Sequence, residues 1–410
     1  MAILYGNTLY IPPAVQGQYY MTFSSNGGDF SIATANSAKN WNGTLEYSTD
    51  ANTWSVWNGT SALRSSSGLL YLRGRGNTRI TGINTNRTHR WTITPDAQNT
   101  VSITGSVRYL LDWKASAHGQ FPTMAEECFS QMFYGCTSII SAQGLFDPYV
   151  DATRRCFYEM FAGCTRLVSA PALNPGTELA ESCCESMFAG CTGLASAPTL
   201  SAYRISVNCY RSMFLGCTSL TTAPDLTATS LAAGCYSRMF EGCTQLTSAP
   251  QLPADELAYG CYTQMFKDCT SLYKTPQLLA KTLEGECYSG MFEGCTSLAF
   301  LSELPATTLA ESCYSYMFVD CINLTALPEL PATYLEHSCY DGMFDGCTGI
   351  RISEFQDGEY QYEYRIPNKG DGIEGGSMTM TGMFENTGGY FSGTPVINTT
   401  YYTDNKPVAP

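Results

Sequence analysis

Paired cysteines are the residues of this sequence best suited to chemistry. The stretch from Cys287 to Leu298 reads CYSGMFEGCTSL and places two cysteines eight residues apart. Two thiols could form a disulfide, ligate a soft metal or act as a redox pair. The string occurs nine times, and the leading cysteines from Cys183 to Cys339 follow one another every 26 residues. The chemistry therefore depends on how a repeated element positions these thiols.

The spacing of apolar residues within one copy predicts an amphipathic helix. Leu309, Cys313, Met317 and Cys321 lie four residues apart, and residues four apart share one face of a helix. A threonine after a proline suits the N-cap, and a glycine such as Gly294 suits a helix end with positive φ. A short segment rich in Thr and Ser that ends in proline predicts a strand between helices.

A unit of one strand and one helix cannot bury its own apolar face, so neighbouring units must stack. The period of 26 residues lies within the ~20–29 residues of leucine-rich repeats. Tetratricopeptide and ankyrin repeats need ~33–34 residues and two helices, and a β-helix would not carry a four-spaced apolar stripe. The sequence therefore predicts an α/β repeat solenoid of the leucine-rich-repeat class.

The repeated phrases also resemble those of a known family. F-x-G-C-T-S-L-T-x-A-P and L-P-A-T-x-L-A are similar to the BspA-type leucine-rich repeats of surface proteins from Bacteroides-type bacteria and their phages. The resemblance covers roughly residues 106–390 and implies a right-handed, curved solenoid used for adhesion or recognition, not catalysis. The N-terminal stretch resembles the β-rich domain that often precedes such repeats. The sequence departs from the family in lacking an initial export signal and in carrying a second cysteine per repeat.

Geometry argues against most cysteine chemistry in such a helix. Eight helical residues rise ~12 Å, whereas bridged Cα atoms lie at most ~7 Å apart. Packed helices lie ~8–10 Å apart, which disfavours a disulfide between repeats but leaves it open. The sequence has no Cys-x-x-Cys and only three histidines, so no metal and no cofactor are expected. We therefore expect buried, reduced thiols in the core. The cysteines assigned to it are Cys209, Cys217, Cys235, Cys243, Cys261, Cys269, Cys287, Cys295, Cys313 and Cys321.

Charge and hydropathy disfavour several classes of partner. Residues 1–105 carry 7 basic and 4 acidic residues, and the rest of the chain carries 15 basic and 32 acidic ones. An acidic repeat region argues against nucleic acid and anionic membrane surfaces. No apolar run approaches the ~18–20 residues of a spanning helix, and the first residues do not resemble a secretory signal. Release within a virus particle, retention in the cell and prior removal of a signal are the alternatives.

The composition divides the chain into four parts. Residues 1–105 combine polar residues with regular turn signals, which predicts a small all-β, sandwich-like domain. Residues 106–127 are assigned to a linker and N-terminal cap, residues 128–350 to the nine repeats, and residues 351–410 to a degenerate tenth repeat with a C-terminal cap and tail. Docking of the tail elsewhere is the alternative. The N-terminal tryptophans either line a sugar-binding surface or, as we favour, form a core.

No catalytic arrangement stands out, because the sequence lacks a phosphate-binding loop and a Gly-x-Ser-x-Gly turn. The candidate site is instead the set of positions that vary between repeats beside the expected strands. Aromatic and charged residues replace the usual Thr or Ser after the repeated leucine, and carboxylates follow the proline position. The candidates for ligand binding on a concave face are Tyr273, Lys274, Phe300, Arg351, Asp225, Glu303 and Glu329. Neutral variation of a free surface is the alternative.

These observations favour a non-enzymatic recognition or adhesion protein exposed outside a particle or cell. The expected location is the surface of a phage virion, in its capsid or tail, with a bacterial cell surface as the alternative. The expected partners are a host-surface or gut glycan or protein and, through residues 1–105, other virion proteins. A structural spacer of the virion and a homo-oligomer are further alternatives, and a glycan-degrading enzyme is disfavoured.

Overall fold

The chain divides into two compact units, Met1–Gly176 and Thr177–Pro410. The division follows the second copy of the repeat. The first unit therefore holds the N-terminal strands and two repeats, and the second holds seven repeats and the C-terminal residues. The computed structural model describes residues 3–5, 8–10, 18–83, 86–146, 152–173, 178–200 and 202–409.

The first unit is built mainly from strands. They are β1 (Ile3–Tyr5), β2 (Thr8–Tyr10), β3 (Met21–Ser25), β4 (Phe30–Thr34), β5 (Thr44–Ser48), β6 (Ser55–Trp57), β7 (Leu63–Arg64), β8 (Leu69–Arg75), β9 (Trp91–Pro95), β10 (Val101–Thr104) and β11 (Ile139–Gln143). A six-stranded sheet has the order β11-β10-β3-β8-β5-β6, and a three-stranded sheet has the order β7-β4-β9. Neighbouring strands in these sheets are antiparallel, except that β10 and β11 are parallel. β1 and β2 form a separate antiparallel pair.

Buried aromatic residues fill the space between these two sheets. Every second residue of β4 is buried, which is the pattern of a strand with one face on a core. The rings of Trp57 and Trp91, from different sheets, meet edge to face at 5.5 Å, and Trp41 lies 4.9 Å from Trp57. Trp54 is half-buried beneath the guanidinium of Arg73, 3.8 Å from its ring. The tryptophans therefore belong to the packing of this unit and offer no open sugar-binding surface.

One helix occurs in the described residues, and it lies outside the repeats. This helix, α1, spans Arg108–Ala117 and includes a non-helical residue at Asp112. It packs against β8, where Gly74 leaves room for the carbonyl group of Leu110. A Cβ atom at that position would overlap the carbonyl oxygen, so glycine is required by the close approach.

The predicted α/β solenoid with one helix per repeat is wrong, and with it the leucine-rich-repeat class. No repeat contains a helix in the described residues. Residues 209–217 form a row of tight turns in which N–H groups alternate between two kinds of acceptor. The N–H of Met213 donates to the carbonyl of Tyr210 within the repeat at 3.2 Å, and the next N–H, of Phe214, donates to Met239 in the following repeat at 2.9 Å. Each repeat is therefore one rung of a hydrogen-bonded stack.

A left-handed residue at every fourth position prevents a helix. In this rung these residues are Asn208 (φ +54°), Ser212 (φ +53°) and Gly216 (φ +68°). A right-handed helix needs negative φ throughout. Gly294 has the expected positive φ of +72°, but it closes a turn instead of ending a helix. Four-residue turns bury every fourth side chain, which is the same spacing that a helix would produce.

Two ladders of extended backbone run along the second unit. One includes the parallel pair β12 and β13 and a bridge between Thr282 and Thr308, and the other includes a bridge between Lys274 and Phe300. β14 continues the first ladder by pairing with β17. The strands of this unit are β12 (Glu178–Leu179), β13 (Arg204–Ile205), β14 (Tyr334–Leu335), β15 (Arg351–Ser353), β16 (Tyr362–Arg365), β17 (Ile373–Glu374), β18 (Gly388–Gly389) and β19 (Thr400–Thr403).

Stacked aromatic rings form the interior of the rungs. Phenylalanine rings from Phe214 to Phe344 repeat at 5.6 Å and lie within 8° of parallel. Tyrosine rings from Tyr210 to Tyr340 repeat at 5.7 to 5.9 Å. All are nearly inaccessible to water. This spacing lies close to the ~4.8 Å between hydrogen-bonded strands, so one hydrogen-bonded rung supplies one layer of the core.

The last part of the second unit is a four-stranded sheet of order β16-β19-β15-β18. Beyond β19 the backbone returns to the repeats. The N–H of Val408 donates to the carbonyl of Leu327 at 2.8 Å, and the N–H of Glu329 donates to the carbonyl of Val408 at 2.9 Å. The segment after β19 is therefore held on the extended backbone of a repeat.

Candidate functional site

Two aromatic rings lie side by side on the surface of the second unit. The ring centroids of Tyr273 and Phe300 are 4.9 Å apart, and the rings are tilted by 59°. Tyr273 is 55% exposed and Phe300 is 52% exposed, so neither ring belongs to the core. We call this pair the aromatic platform. Its residues stand at neighbouring positions of two successive repeats.

The backbone ladder fixes the position of the aromatic platform. The N–H of Phe300 donates to the carbonyl of Tyr273 at 3.3 Å, and the N–H of Thr275 donates to the carbonyl of Phe300 at 3.1 Å. Lys274 lies opposite Phe300 in this ladder. The ladder therefore fixes the spacing of the backbone positions from which the two rings extend.

A groove of about 440 Å³ lies beside these segments, and we call it the 274–303 groove. Two of the predicted ligand-binding residues, Lys274 and Glu303, are among the polar residues that line it. Neither side chain forms an ion pair with a described residue. The groove is lined by Lys274, Gln277, Leu278, Leu279, Leu301, Ser302, Glu303, Pro305 and Val408.

The other predicted residues do not join this group. Arg351 pairs with Glu359 at 2.8 Å and with Asp404 at 3.6 Å, and its guanidinium lies 5.2 Å from the ring centre of Tyr360. These contacts hold β15 to the C-terminal residues. The prediction had placed Arg351 on a ligand-binding face, whereas its charge is already paired within the chain.

Glu329 and Asp225 are also absent from the lining of the 274–303 groove. The carboxylate of Glu329 accepts a hydrogen bond from the side chain of Asn368 at 2.7 Å, and its backbone holds Val408. Asp225 is exposed and stands 78 residues, or three repeats, before Glu303. At one rung per ~4.8 Å this corresponds to about 15 Å along the stack.

The cysteines line the interior of the rungs. All 19 are buried, and none forms a disulfide. The thiol of Cys217 donates to the carbonyl of Phe188 in the preceding repeat at 3.2 Å. Burial raises the pKa of Cys243 to about 12, so the thiol form persists there at neutral pH. The thiols are therefore packing groups and weak donors rather than nucleophiles.

The helix spacing that disfavoured disulfides between repeats does not apply, because the repeats are not packed helices. The sulfur atoms of Cys183 and Cys209, in successive rungs, lie 3.6 Å apart. Cys184 replaces the aromatic residue found at that position in other repeats, and its sulfur lies 3.5 Å from that of Cys183. Both distances are contacts between thiols and exceed the ~2.05 Å of a disulfide bond.

Metal and membrane chemistry receive no support from the described part of the chain. No group of three or more His, Cys, Asp or Glu residues is arranged there to hold a metal ion. Among the same residues, no helix is long and apolar enough to cross a bilayer. The 274–303 groove contains one carboxylate, that of Glu303.

Sequence reasoning missed several residues of the groove. Leu279 is 45% exposed and stands where neighbouring repeats have Pro253 and Pro305. This departure from the repeat pattern could have identified it. The sequence gives no comparable indication for Val408, because its position depends on a chain reversal beyond β19.

Comparisons with protein-family models, with curated proteins and with solved structures find no match for this chain. Its function is therefore argued from the geometry of the aromatic platform and the 274–303 groove.

Proposed function

We propose that this chain is a non-enzymatic recognition protein, exposed on the outside of a particle or cell, that binds a host-surface glycan through the aromatic platform. The observation that carries the proposal is the paired exposure of Tyr273 and Phe300 on a rigid backbone ladder. The surface of a virion is the location that we propose, and a bacterial cell surface is the alternative. The resemblance of the repeated phrases to surface proteins of bacteria and phages favours such locations.

A sugar ring offers the kind of surface that complements this site. One face of a pyranose carries C–H groups that pack on aromatic rings, while its edge carries hydroxyl groups that need hydrogen-bonding partners. The aromatic platform supplies two ring faces. Lys274, Gln277 and Glu303 supply a donor, an amide and an acceptor along the adjoining groove.

The absence of catalysis is part of the proposal, and it is supported by the lining of the groove. Hydrolysis of a glycosidic bond usually requires two carboxylates that flank the bond. In the part of the chain that the structure describes, the groove has one lining carboxylate, Glu303. Release of reducing sugar in a polysaccharide hydrolysis screen would contradict this part of the proposal.

A glycan array tests the binding function directly. We expect saturable binding by the wild-type chain, and we expect Tyr273→Ala or Phe300→Ala to weaken it about tenfold or more. Tyr273→Phe retains the ring and should bind nearly as well. Tyr203→Ala is the matched control, because Tyr203 is 63% exposed but lies outside the platform. The proposal is wrong if no glycan binds, or if the control loses as much affinity as Tyr273→Ala.

A further inference from the structure

A second cavity, of about 680 Å³, adjoins the 274–303 groove, and we call it the 255–284 cavity. Its lining comes from two successive repeats, with residues 255–257 from one and Lys281, Thr282 and Glu284 from the next. Leu279 lines both this cavity and the 274–303 groove. The two depressions therefore lie on either side of one residue and form a single path on the surface of the second unit.

Leu279 departs from the repeat pattern at the point where the two depressions meet. The equivalent residues of neighbouring repeats, at intervals of 26, are Pro253, Pro305 and Pro331. These prolines are partly buried, whereas Leu279 is 45% exposed. An exposed aliphatic side chain between two polar depressions suits a ligand that has both C–H surfaces and hydroxyl groups.

The backbone beneath the 255–284 cavity is held by hydrogen bonds. The carbonyl of Lys281 accepts the N–H groups of Thr307 and Thr308 at 2.9 and 3.1 Å. The N–H of Leu283 donates to the carbonyl of Thr308 at 3.0 Å, and Thr282 lies opposite Thr308. The cavity therefore borders one backbone ladder of the repeats, and the 274–303 groove borders the other.

An exposed tyrosine lies beside the 255–284 cavity. Tyr259 is 55% exposed, and a Cβ atom at Gly285 would lie 3.1 Å from its ring. The ring therefore covers the backbone next to Glu284, which lines the cavity. Exposed aromatic rings thus stand near both depressions, Tyr259 beside the cavity and the aromatic platform beside the groove.

The charges along the path disfavour an acidic ligand. Three carboxylates and the ammonium group of Lys281 line the 255–284 cavity, and Glu303 and Lys274 line the 274–303 groove. The three carboxylates of the cavity are those of Asp255, Glu256 and Glu284. A lining with four carboxylates and two ammonium groups repels anionic ligands, whereas both kinds of group form hydrogen bonds with neutral hydroxyls.

We propose that this path takes an extended, uncharged glycan chain, which packs on the aromatic platform, crosses Leu279 and continues into the 255–284 cavity. The inference rests on the proposed glycan binding and adds the class of ligand, an internal run of several sugar units instead of a single terminal sugar. Contacts on both sides of Leu279 belong to one ligand. The second set therefore forms without a further loss of translational freedom, and it raises the affinity for long chains.

The length of the glycan chain tests this inference. The probes are oligosaccharides of glucose, mannose, galactose or N-acetylglucosamine with two to eight units, titrated into the full chain by isothermal calorimetry. We expect affinity in at least one series to rise about tenfold or more with length. Galacturonic acid chains of the same lengths should show no such gain. The inference is overturned if no neutral series gains affinity with length, or if the acidic series gains as much.

Substitutions locate the added contacts. Thr282→Trp fills the 255–284 cavity and should reduce the gain with length to less than about twofold. Thr308→Trp is the matched control, because Thr308 is exposed and lies opposite Thr282 but is absent from the lining of both depressions. It should retain the gain. Leu279→Pro restores the residue of neighbouring repeats and should reduce the gain about threefold. Equal effects of the two tryptophan variants would place the added contacts elsewhere and overturn the inference.

Tyr273→Ala distinguishes failure of this inference from failure of the proposed function. The aromatic platform contacts short and long chains alike, so this variant should weaken the binding of both. If it does so while no series gains affinity with length, only the inference fails. If it changes neither, the proposed function fails with it. Chromatography should recover the bound chains at their original length, and shortened chains would overturn the non-enzymatic part of the proposed function.

Discussion

The thiol of Cys295 donates a hydrogen bond to the carbonyl oxygen of Phe266 in the preceding repeat, 3.1 Å away. The same oxygen accepts the N–H of Cys269, also at 3.1 Å. A backbone carbonyl has two lone pairs, and the thiol engages the second one inside the core. Five further thiols make the same contact with a phenylalanine 29 residues earlier. They belong to Cys217, Cys243, Cys269, Cys321 and Cys347.

The first prediction concerns this bond. Cys295→Ala removes a buried sulfur and the donor that reaches Phe266, and it leaves a small void between rungs. We expect a loss of about 1–2 kcal/mol in the free energy of unfolding, measured by denaturant titration. Thr348→Ala is the control, since Thr348 is exposed, and it should change stability by less than about 0.5 kcal/mol. Equal stability of Cys295→Ala and wild type would show that the thiol contributes nothing to the stack.

The second prediction uses glycine to test the turn structure of the rungs. Gly242 has φ +72°, and a Cβ there would meet the backbone of Gly216 at an ordinary contact distance of 3.6 Å. Gly242→Ala should therefore cost about 1–2 kcal/mol through backbone strain alone. A glycine with negative φ would not show this loss, because Gly→Ala there restricts the unfolded chain and stabilises by about 0.4–1 kcal/mol.

A second glycine provides the control for this substitution. Gly358 has no positive φ, and a Cβ there would contact nothing within 4 Å. Gly358→Ala should leave the midpoint of unfolding nearly unchanged. If Gly242→Ala stabilises the chain, the turns proposed for the rungs are wrong.

The sequence predicts the length of the repeat but not the backbone conformation within each rung. The interval of 26 residues is visible in the sequence, and hydrogen bonds between successive rungs follow that interval. Cys313 and Met317 are buried, as a four-residue spacing requires. The spacing itself cannot distinguish a helix from a row of four-residue turns, because both bury every fourth side chain. Residues with positive φ, such as Tyr316, distinguish the turns from a helix. A tyrosine gives no sign in the sequence that its φ is positive.

The candidate site was predictable where a residue departs from the repeat pattern at a surface position. Tyr273 and Phe300 stand out in this way, and the ladder places their rings in contact. Arg351 departs from the pattern equally, but its partner Asp404 lies far along the chain and could not be anticipated. A residue that departs from the repeat pattern indicates that its surroundings differ from those in other repeats. Whether it lies on a binding surface or in an internal contact depends on residues far along the chain.

The third prediction concerns the oxidation state and accessibility of the thiols. All 19 cysteines are buried and none forms a disulfide, so the native chain should react with few equivalents of a thiol reagent. Denaturant without reductant should expose close to 19 thiols. Mass spectrometry of the alkylated, denatured chain provides the count. A count reduced by two, with Cys183 and Cys209 protected together, would indicate a disulfide across the closest pair of rungs.

The fourth prediction concerns alkaline pH. Burial raises the pKa of Cys243 from 9.0 to about 12 because the thiolate is poorly solvated in the core. The folded state therefore favours the protonated thiol. The resulting stability is fully present below pH 9.0 and is lost as the pH rises toward 12. The denaturant midpoint should stay level up to pH 9.0 and fall above it, and a fall confined to acidic pH would contradict the assignment.

The last prediction separates Arg351 from the ligand-binding residues. Its guanidinium links Glu359 and Asp404, so Arg351→Ala should loosen the residues that follow β19 without altering glycan binding. The loss in global stability should be less than about 1 kcal/mol, because the pairs are partly exposed to solvent. Limited proteolysis with a protease specific for acidic residues, followed by mass spectrometry, should show faster cleavage beside Asp404, whose ion pair with Arg351 is lost. Tyr273→Ala, the matched variant in the aromatic platform, should show the opposite pattern, with normal cleavage and weakened binding. If Arg351→Ala weakens glycan binding as much as Tyr273→Ala does, the binding surface extends to β15 and the platform alone does not define it.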